Sequence, residues 1–364
     1  MSDSQYTFQG WAAHDNDDYK GALKFQAFEP KPWDEDDVDV RIMYCGICGS
    51  DAHVLSGAFF PVSAMAPLVC GHELVGEVIR VGSQVENGLE VGTIVGVGAV
   101  SDSCRECEHC VEECEVFCKK RTTTYAGVFH RGNGAGYKTK GGYATHWRGP
   151  SAFAFPIPAG YDPACAAPML CGGVTVFSAL RRFGAGVTAK QVGVIGIGGL
   201  GHLAIQFAKA MGAEVTAISR GEAKRQEAVE LGSDNYIAVS DDVGTSVEGR
   251  ERILDLVICC AGGSYTDYLK LLKPRGTFVQ AAIGTSPVPV SNISLITGGL
   301  TIVGALADGK AEYKDMFDFA AKHDIKPWIN KWDMKDINKA LPAFSNGEAK
   351  YRMVLVNTEN GGSL

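Results

Sequence analysis

The sequence predicts an α/β protein of two domains, one irregular and β-rich, the other a doubly wound parallel sheet. Three observations carry this. The chain has 364 residues, more than one ordinary core organises. Its texture changes near Gly173, from short β-branched runs bounded by Gly to a regular alternation of strands and helices as far as Gly304. Within that alternation a Gly-rich turn at 196–201 joins a short apolar run to an amphipathic one. The expected division is 1–172 with 305–364 against 173–304.

The elements follow in chain order. Val38 to Ile42 alternates with period two and reads as a strand, as do Leu74 to Val81 and Thr93 to Val97. In the second region Gln191 to Ile195 is a short buried strand. Leu200 to Met211 is a helix stopped by Gly212, with apolar Leu203, Ile205, Phe207 and Ala208. Strand Val215 to Ile218, helix Glu222 to Leu231 with its Gly232 stop, and strand Leu254 to Cys259 come next. A helix from Tyr265 to Leu272 ends at Lys273-Pro274-Arg275-Gly276, and strand Thr277 to Gln280 follows. The tail holds a helix, Tyr313 to Ala321, and a last strand, Lys350 to Val356, and is expected to return to the first domain.

Composition narrows the functions. Hydrophobic residues at 46% and charged ones at 21% are globular values and exclude extended disorder. A net charge of −8 without a long Lys/Arg run excludes nucleic acid and anionic membrane surfaces as partners. Met1 to Tyr19 is polar and acidic, without an apolar signal core, and no stretch of 18 apolar residues exists to span a membrane. A cytoplasmic protein is expected. Five of the twelve cysteines fall between Cys104 and Cys118, which in a reducing compartment points to metal rather than disulfides.

The turn Gly196-Ile197-Gly198-Gly199-Leu200-Gly201 lies between a strand and a helix, as a dinucleotide-binding fingerprint must. Gly196 allows the tight turn, Gly198 lets the backbone approach a pyrophosphate, and Gly201 lets the helix pack on the strand. The free N–H groups of the helix start then face the phosphates. The next strand ends in Ser219-Arg220, with Lys224 one turn on. An NAD site usually has a carboxylate there to accept from the ribose 2′-OH. A hydroxyl, a guanidinium and an ammonium bind a 2′-phosphate instead, so the expected cofactor is NADP(H).

Two groups of metal-ligating residues stand out. Cys104, Cys107, Cys110 and Cys118 form C-x2-C-x2-C-x7-C, enough thiolates to close a tetrahedral structural zinc site. An iron–sulfur cluster is the alternative for this spacing. His109 and Cys114 lie inside the same loop, but four cysteines already fill the shell, and Cys114 reads as a bystander. Cys48, His72 and Cys171 are dispersed, and any one of them alone would read as a packed core residue. Together they make two sulfurs and one imidazole, a set that holds catalytic zinc.

These residues, in this order, resemble the zinc-containing medium-chain dehydrogenases/reductases, and within them the cinnamyl-alcohol-dehydrogenase-like branch. The matching elements are Gly46-Ile47-Cys48-Gly49-Ser50-Asp51, Gly71-His72-Glu73, the Cys104–Cys118 cluster, Leu170-Cys171-Gly172-Gly173-Val174-Thr175, the Gly196–Gly201 turn and the Ser219 region. The resemblance implies a GroES-like catalytic domain and a Rossmann domain, two zinc ions per chain, and hydride transfer between NADPH and the carbonyl of a bulky or aromatic aldehyde. It implies that Cys48, His72 and Cys171 hold the catalytic zinc, with Glu73 a carboxylate able to approach it. It implies further that Ser50 hydrogen-bonds the substrate oxygen, Asp51 orients His72, His53 ends a proton relay, and Thr175 belongs to the cofactor site. A homodimer is expected, paired by sheet edges around Ile293 to Val303. Reduction of a conjugated C=C or an iminium carbon on the same fold is the alternative, and a non-enzymatic dinucleotide sensor a more remote one. The sequence departs from the branch at Cys70, and at Ser56 to Pro67, where Phe59, Phe60 and Met65 replace a Trp-containing loop. The Gly-rich segment Thr122 to Gly142 has no assigned place.

Overall fold

The computed structural model describes residues 6–262, 266–284, 287–307 and 309–364. The chain forms two compact units. The first comprises Met1–Cys171, Asp308–Ala321 and Pro327–Leu364, the second Gly172–Ala307 and Lys322–Lys326.

The first unit is built on the strand Asp37–Ile47. The sequence alternation covers only Val38 to Ile42. The strand continues to Ile47 because neighbours on both edges bury it, so its second half loses the polar side of the pattern. It pairs antiparallel with Leu74–Val81 on one side and Arg352–Val356 on the other, and its first half also pairs with His146–Pro150. Ile94–Val97 and Phe155–Pro156 extend the sheet beyond Leu74–Val81, and Ile329–Asp333 closes the far edge parallel to Arg352–Val356. The tail thus supplies two strands to the first unit's sheet.

The second unit is a six-stranded parallel sheet. Its order is Asn235–Val239, Glu214–Arg220, Gln191–Ile195, Leu254–Cys259, Leu272–Gln280, Thr301–Gly304. The chain winds outward from Gln191–Ile195 in both directions, which defines a doubly wound sheet. Helix Gly201–Ala210 follows the Gly-rich turn, and Arg225–Glu230 is the second helix.

One expectation is corrected here, and two others gain structural detail. The helix expected from Tyr265 to Leu272 begins on a residue outside the described ones, and its remainder is a single 3-10 turn, Tyr268–Leu271. Lys273-Pro274-Arg275-Gly276 lies inside the strand Leu272–Gln280, its register shifted against Leu254–Cys259, because a parallel ladder tolerates Pro where the pairing is interrupted. The expected edge at Ile293 to Val303 is helix Asn292–Gly298 followed by the edge strand Thr301–Gly304. The helix carries exposed Ile293 and Ile296. Finally, one helical run, Pro163–Arg182, is long and apolar enough to cross a membrane, although no 18-residue stretch is wholly apolar. Most of it is buried within the protein, as core helices are.

Under the first sheet lies a set of buried ions. Lys31 donates to Asp37 at 2.5 Å and to Asp34 at 2.9 Å, and Arg148 grips Asp39 with two hydrogen bonds at 2.7 and 2.9 Å. The second oxygen of Asp37 has no partner. Burial pushes the Asp37 carboxyl up to about 6, against the pull of Lys31. An acid whose value is raised on folding adds stability below its unfolded value, and that stability is lost as pH rises through about 6. Lys31→Met leaves a buried carboxylate uncompensated. It should cost about 3–5 kcal/mol in urea denaturation at pH 8, and clearly less at pH 5, where Asp37 takes up a proton.

Candidate active site

Local rules explain how four distant residues meet. The ladder pairs Cys45 with Leu74, so Cys48, beyond the end of one strand, comes level with His72, just before the start of its neighbour. Gly71 has φ +94°, a conformation that suits glycine, and turns the chain so that His72 faces inward. Gly46 makes room for Glu73, since a Cβ there would lie 2.0 Å from Glu73 Oε2. Cys48 begins the helix Gly49–Leu55, and its N–H donates to Asp51 Oδ2 at 2.9 Å. Cys171 arrives on a helix that packs against the two strands. Pro168 lacks an N–H and its ring crowds the preceding turn. The helix Pro163–Pro168 therefore gives way to a π-turn, Met169–Gly173, which carries Cys171.

The ligating atoms of Cys48, His72, Glu73 and Cys171 all lie within 4.8 Å of one another. The two sulfurs are 3.8 Å apart. Two thiolates on a tetrahedral zinc with Zn–S near 2.3 Å stand about 3.8 Å apart, so the spacing fits the ion. His72 Nδ1 is 3.1 Å from Asp51 Oδ1, which leaves Nε2 as the ligand. Burial alone would lower the His72 pKa, but Asp51 and Cys48 together outweigh it and raise it well above the usual value. The Cys48 thiol is held far below its ordinary value by the S–H of Cys171, with His72 adding to the effect, and Cys171 is pushed correspondingly up. The pair thus favours loss of a proton from one sulfur, the ionisation that metal binding requires of both.

Glu73 is buried and ion-paired with Arg352. Burial raises its carboxyl to about 7 despite that cation. Its Oε2, which lies against Gly46, has no hydrogen-bond partner among the described residues. Ser50 Oγ donates to Cys48 Sγ at 3.3 Å. His53 lies three residues further on the same helix, its ring 5.7 Å from that of Phe59. No hydrogen bond joins Ser50 to His53 among the described residues.

Sequence reasoning missed three neighbours of this set. Arg352 opens the last strand, and a buried charge at the head of an otherwise apolar strand was the available signal. Tyr125, in the unassigned segment, sets its ring 5.5 Å from His72. Tyr143 donates its hydroxyl to Asp51. Cys70 is buried in the hydrophobic core and lies outside the ligand group.

Cys104, Cys107, Cys110 and Cys118 form the second group within 4.8 Å. Three of their sulfur pairs stand 3.5–3.8 Å apart, the spacing of a tetrahedral four-thiolate site and far beyond a disulfide bond. Backbone N–H groups point at two of them, from Cys107 to Cys104 and from Lys120 to Cys118, each at 3.3 Å. N–H donation, led by Glu106, draws the Cys104 thiol down to about 6. Cys114 lies outside the group, with its thiol on Glu112 O at 3.5 Å.

In the second unit Gly196 has φ +85°, and a Cβ at Gly201 would lie 1.8 Å from Gly196 O. Gly198 faces open space, and Gly199 and Leu200 complete the turn into the helix. Strand Glu214–Arg220 ends in half-buried Ser219 and exposed Arg220. The Lys224 ammonium reaches back to Ile197 O, inside the Gly-rich loop. Glu222, just beyond the strand, is held by Arg225 at 2.6 and 3.0 Å, and Glu227 is the acid that bears on Lys224. Thr175 is buried in the first turn of helix Val174–Arg182.

Comparison with known proteins agrees with this geometry. Residues 34–159 match the alcohol dehydrogenase GroES-like domain and residues 199–322 the zinc-binding dehydrogenase domain. A probable cinnamyl alcohol dehydrogenase of Arabidopsis thaliana is 37% identical over 349 residues, 95% of this chain and 93% of that one. An NADP-dependent alcohol dehydrogenase of Saccharomyces cerevisiae is 37% identical over 357 residues, 96% of each chain. Among solved structures, a cinnamyl alcohol dehydrogenase from Sorghum bicolor superimposes with TM-score 0.89 at 35% identity, covering 98% of this chain and 99% of its own. The chain belongs to the zinc-containing medium-chain dehydrogenase/reductase family, among its cinnamyl-alcohol-dehydrogenase-like alcohol dehydrogenases, and is an oxidoreductase.

Proposed function

We propose that this enzyme interconverts bulky or aromatic aldehydes and their alcohols with NADP(H), using one catalytic and one structural zinc. The observation that carries the reading is the convergence of Cys48, His72 and Cys171 within 4.8 Å, with the orphaned Glu73 oxygen beside them. Cys48, His72 and Cys171 would hold zinc there, which when bound would polarise an aldehyde carbonyl or acidify an alcohol, with NADPH as the hydride source. Residues 1–172 and 305–364 act as the catalytic domain and 173–304 as the cofactor domain.

The chain's own residues do the rest. Asp51 fixes the His72 tautomer and ring through Nδ1. The Arg352 guanidinium holds Glu73 at the edge of the ligand set without displacing it. The Ser50 hydroxyl, already beside Cys48, would donate its proton to the carbonyl oxygen, and His53 would end the relay that restores that proton from solvent. Phe59, Phe60 and Met65 favour an apolar, ring-bearing substrate. Gly196, Gly198, Gly199, Leu200, Gly201 and Thr175 receive the cofactor, while Ser219, Arg220 and Lys224 take the 2′-phosphate. The absence of a carboxylate at Ser219-Arg220 and the NADP dependence of the yeast relative support that choice.

The twelve thiols, none in a disulfide, suit a reducing compartment, and we place the protein in the cytoplasm. A homodimer forms through the edge strand Thr301–Gly304 and the exposed isoleucines of helix Asn292–Gly298.

The direct test adds a conjugated aromatic aldehyde to enzyme and NADPH and identifies the product. The allylic alcohol supports the reading, and the saturated aldehyde replaces it with C=C reduction. Ser50→Ala should lower kcat roughly 100-fold or more with little change in KM, since proton transfer to the oxygen is lost while the pocket is kept. Steady-state kinetics that leave kcat unchanged refute its role. Arg220→Asp should cut kcat/KM for NADPH roughly 10- to 100-fold and leave NADH equal or better, because one charge-assisted contact becomes a repulsion. An unchanged cofactor ratio counts against the assignment.

A further inference from the structure

Asp51 is a fully buried carboxylate, and the disposition of its two oxygens defines how His72 stands. One oxygen faces His72 Nδ1 at 3.1 Å. The other accepts two donors, the Cys48 N–H and the Tyr143 hydroxyl, each at 2.9 Å. The Cys48 N–H is fixed by the helix start. The phenol is a side-chain donor that approaches from a different part of the chain, and Tyr125, whose side chain also bears on Asp51, is the other tyrosine at this carboxylate.

Tyr143 is built to hold that position. Its side chain is completely buried. Its N–H donates to Cys70 O at 2.9 Å, and Gly142 N–H donates to Gly71 O at 2.7 Å, so its backbone is tied to the residues just before His72. Its carbonyl accepts from Trp11 N–H at 2.8 Å. The ring packs over Gly71, where an added Cβ would come within 2.7 Å of Tyr143 Cδ1. The same residue thus braces the turn that presents His72 and the carboxylate that orients it. A buried carboxylate left with one donor fewer would rotate to recover a bond and take the imidazole with it.

We propose that Tyr143 is a positioning residue of the catalytic metal site, acting through Asp51 on His72. This rests on the reading of Cys48, His72 and Cys171 as the catalytic zinc set. Tyr143→Phe removes one oxygen and keeps the ring. In the zinc-loaded enzyme, chelator competition should then show the catalytic zinc bound about 10-fold more weakly, with the zinc of the four-cysteine loop unchanged. Cobalt in the catalytic site should give a shifted visible spectrum. In an Asp51→Asn background, Tyr143→Phe should weaken binding no further. Unchanged affinity and spectrum overturn the proposal. So does loss of both zincs in step with a lower Tm, which marks a purely structural role. A wild-type enzyme that binds zinc only in the four-cysteine loop defeats instead the reading beneath it. If Tyr143→Phe does not fold, Asp51→Asn carries the test: a buried tyrosine's near-UV band must shift on losing its charged acceptor, and an unshifted band overturns the proposal.

Discussion

Two thiols, an imidazole and a carboxylate share one buried space within 4.8 Å of one another, and the first unit is arranged around that crowding. The protein's own groups compensate this cluster only in part: Glu73 keeps an oxygen without a hydrogen-bond partner, and the Cys48 and Cys171 thiols are driven apart in acidity, one lowered and one raised. With zinc, two thiolates and a neutral imidazole gain a common counter-charge, and the cost of burying them is offset. The strand Asp37–Ile47, the glycines at 46 and 71 and the π-turn after Pro168 all serve to bring these side chains together.

The positive groups near the site are placed as deliberately. Arg352 keeps Glu73 from being a bare buried anion, while leaving one of its oxygens unclaimed. In the second unit, Lys224 folds onto the Gly-rich loop and Arg225 neutralises Glu222, so the end of strand Glu214–Arg220 presents positive charge. On the proposed reading, one fold holds a dication in one unit and a phosphate-rich cofactor in the other, each with groups of opposite sign.

Much of this was legible in the sequence, for physical reasons. The parallel sheet announced itself because Gly-stopped helices between short apolar strands leave a local pattern. Gln191–Ile195 and Leu254–Cys259 are found where that pattern puts them. The loop from Cys104 to Cys118 was legible because its four clustered cysteines sit within fifteen residues of chain. Strand Asn235–Val239 and helix Val174–Arg182 escaped notice, the first being short and mixed in pattern, the second being short and following directly on Gly172-Gly173, which read as a domain boundary. Arg352 and Tyr143 escaped for a different reason. Their roles come from strands paired across the sheet and turns tied by backbone hydrogen bonds, and such long-range pairing leaves no trace in spacing. The stretch Lys273-Pro274-Arg275-Gly276 read as a helix stop, whereas tertiary pairing absorbs it into a strand.

The central claim is that three distant side chains of the first unit hold one zinc. Anomalous diffraction at the zinc edge, from crystals of the purified enzyme, tests it most directly. The account predicts two peaks per chain, one among Cys104, Cys107, Cys110 and Cys118, the other bonded to Cys48, His72 and Cys171. A single peak in the four-cysteine loop, with electron density empty between the three, would contradict it.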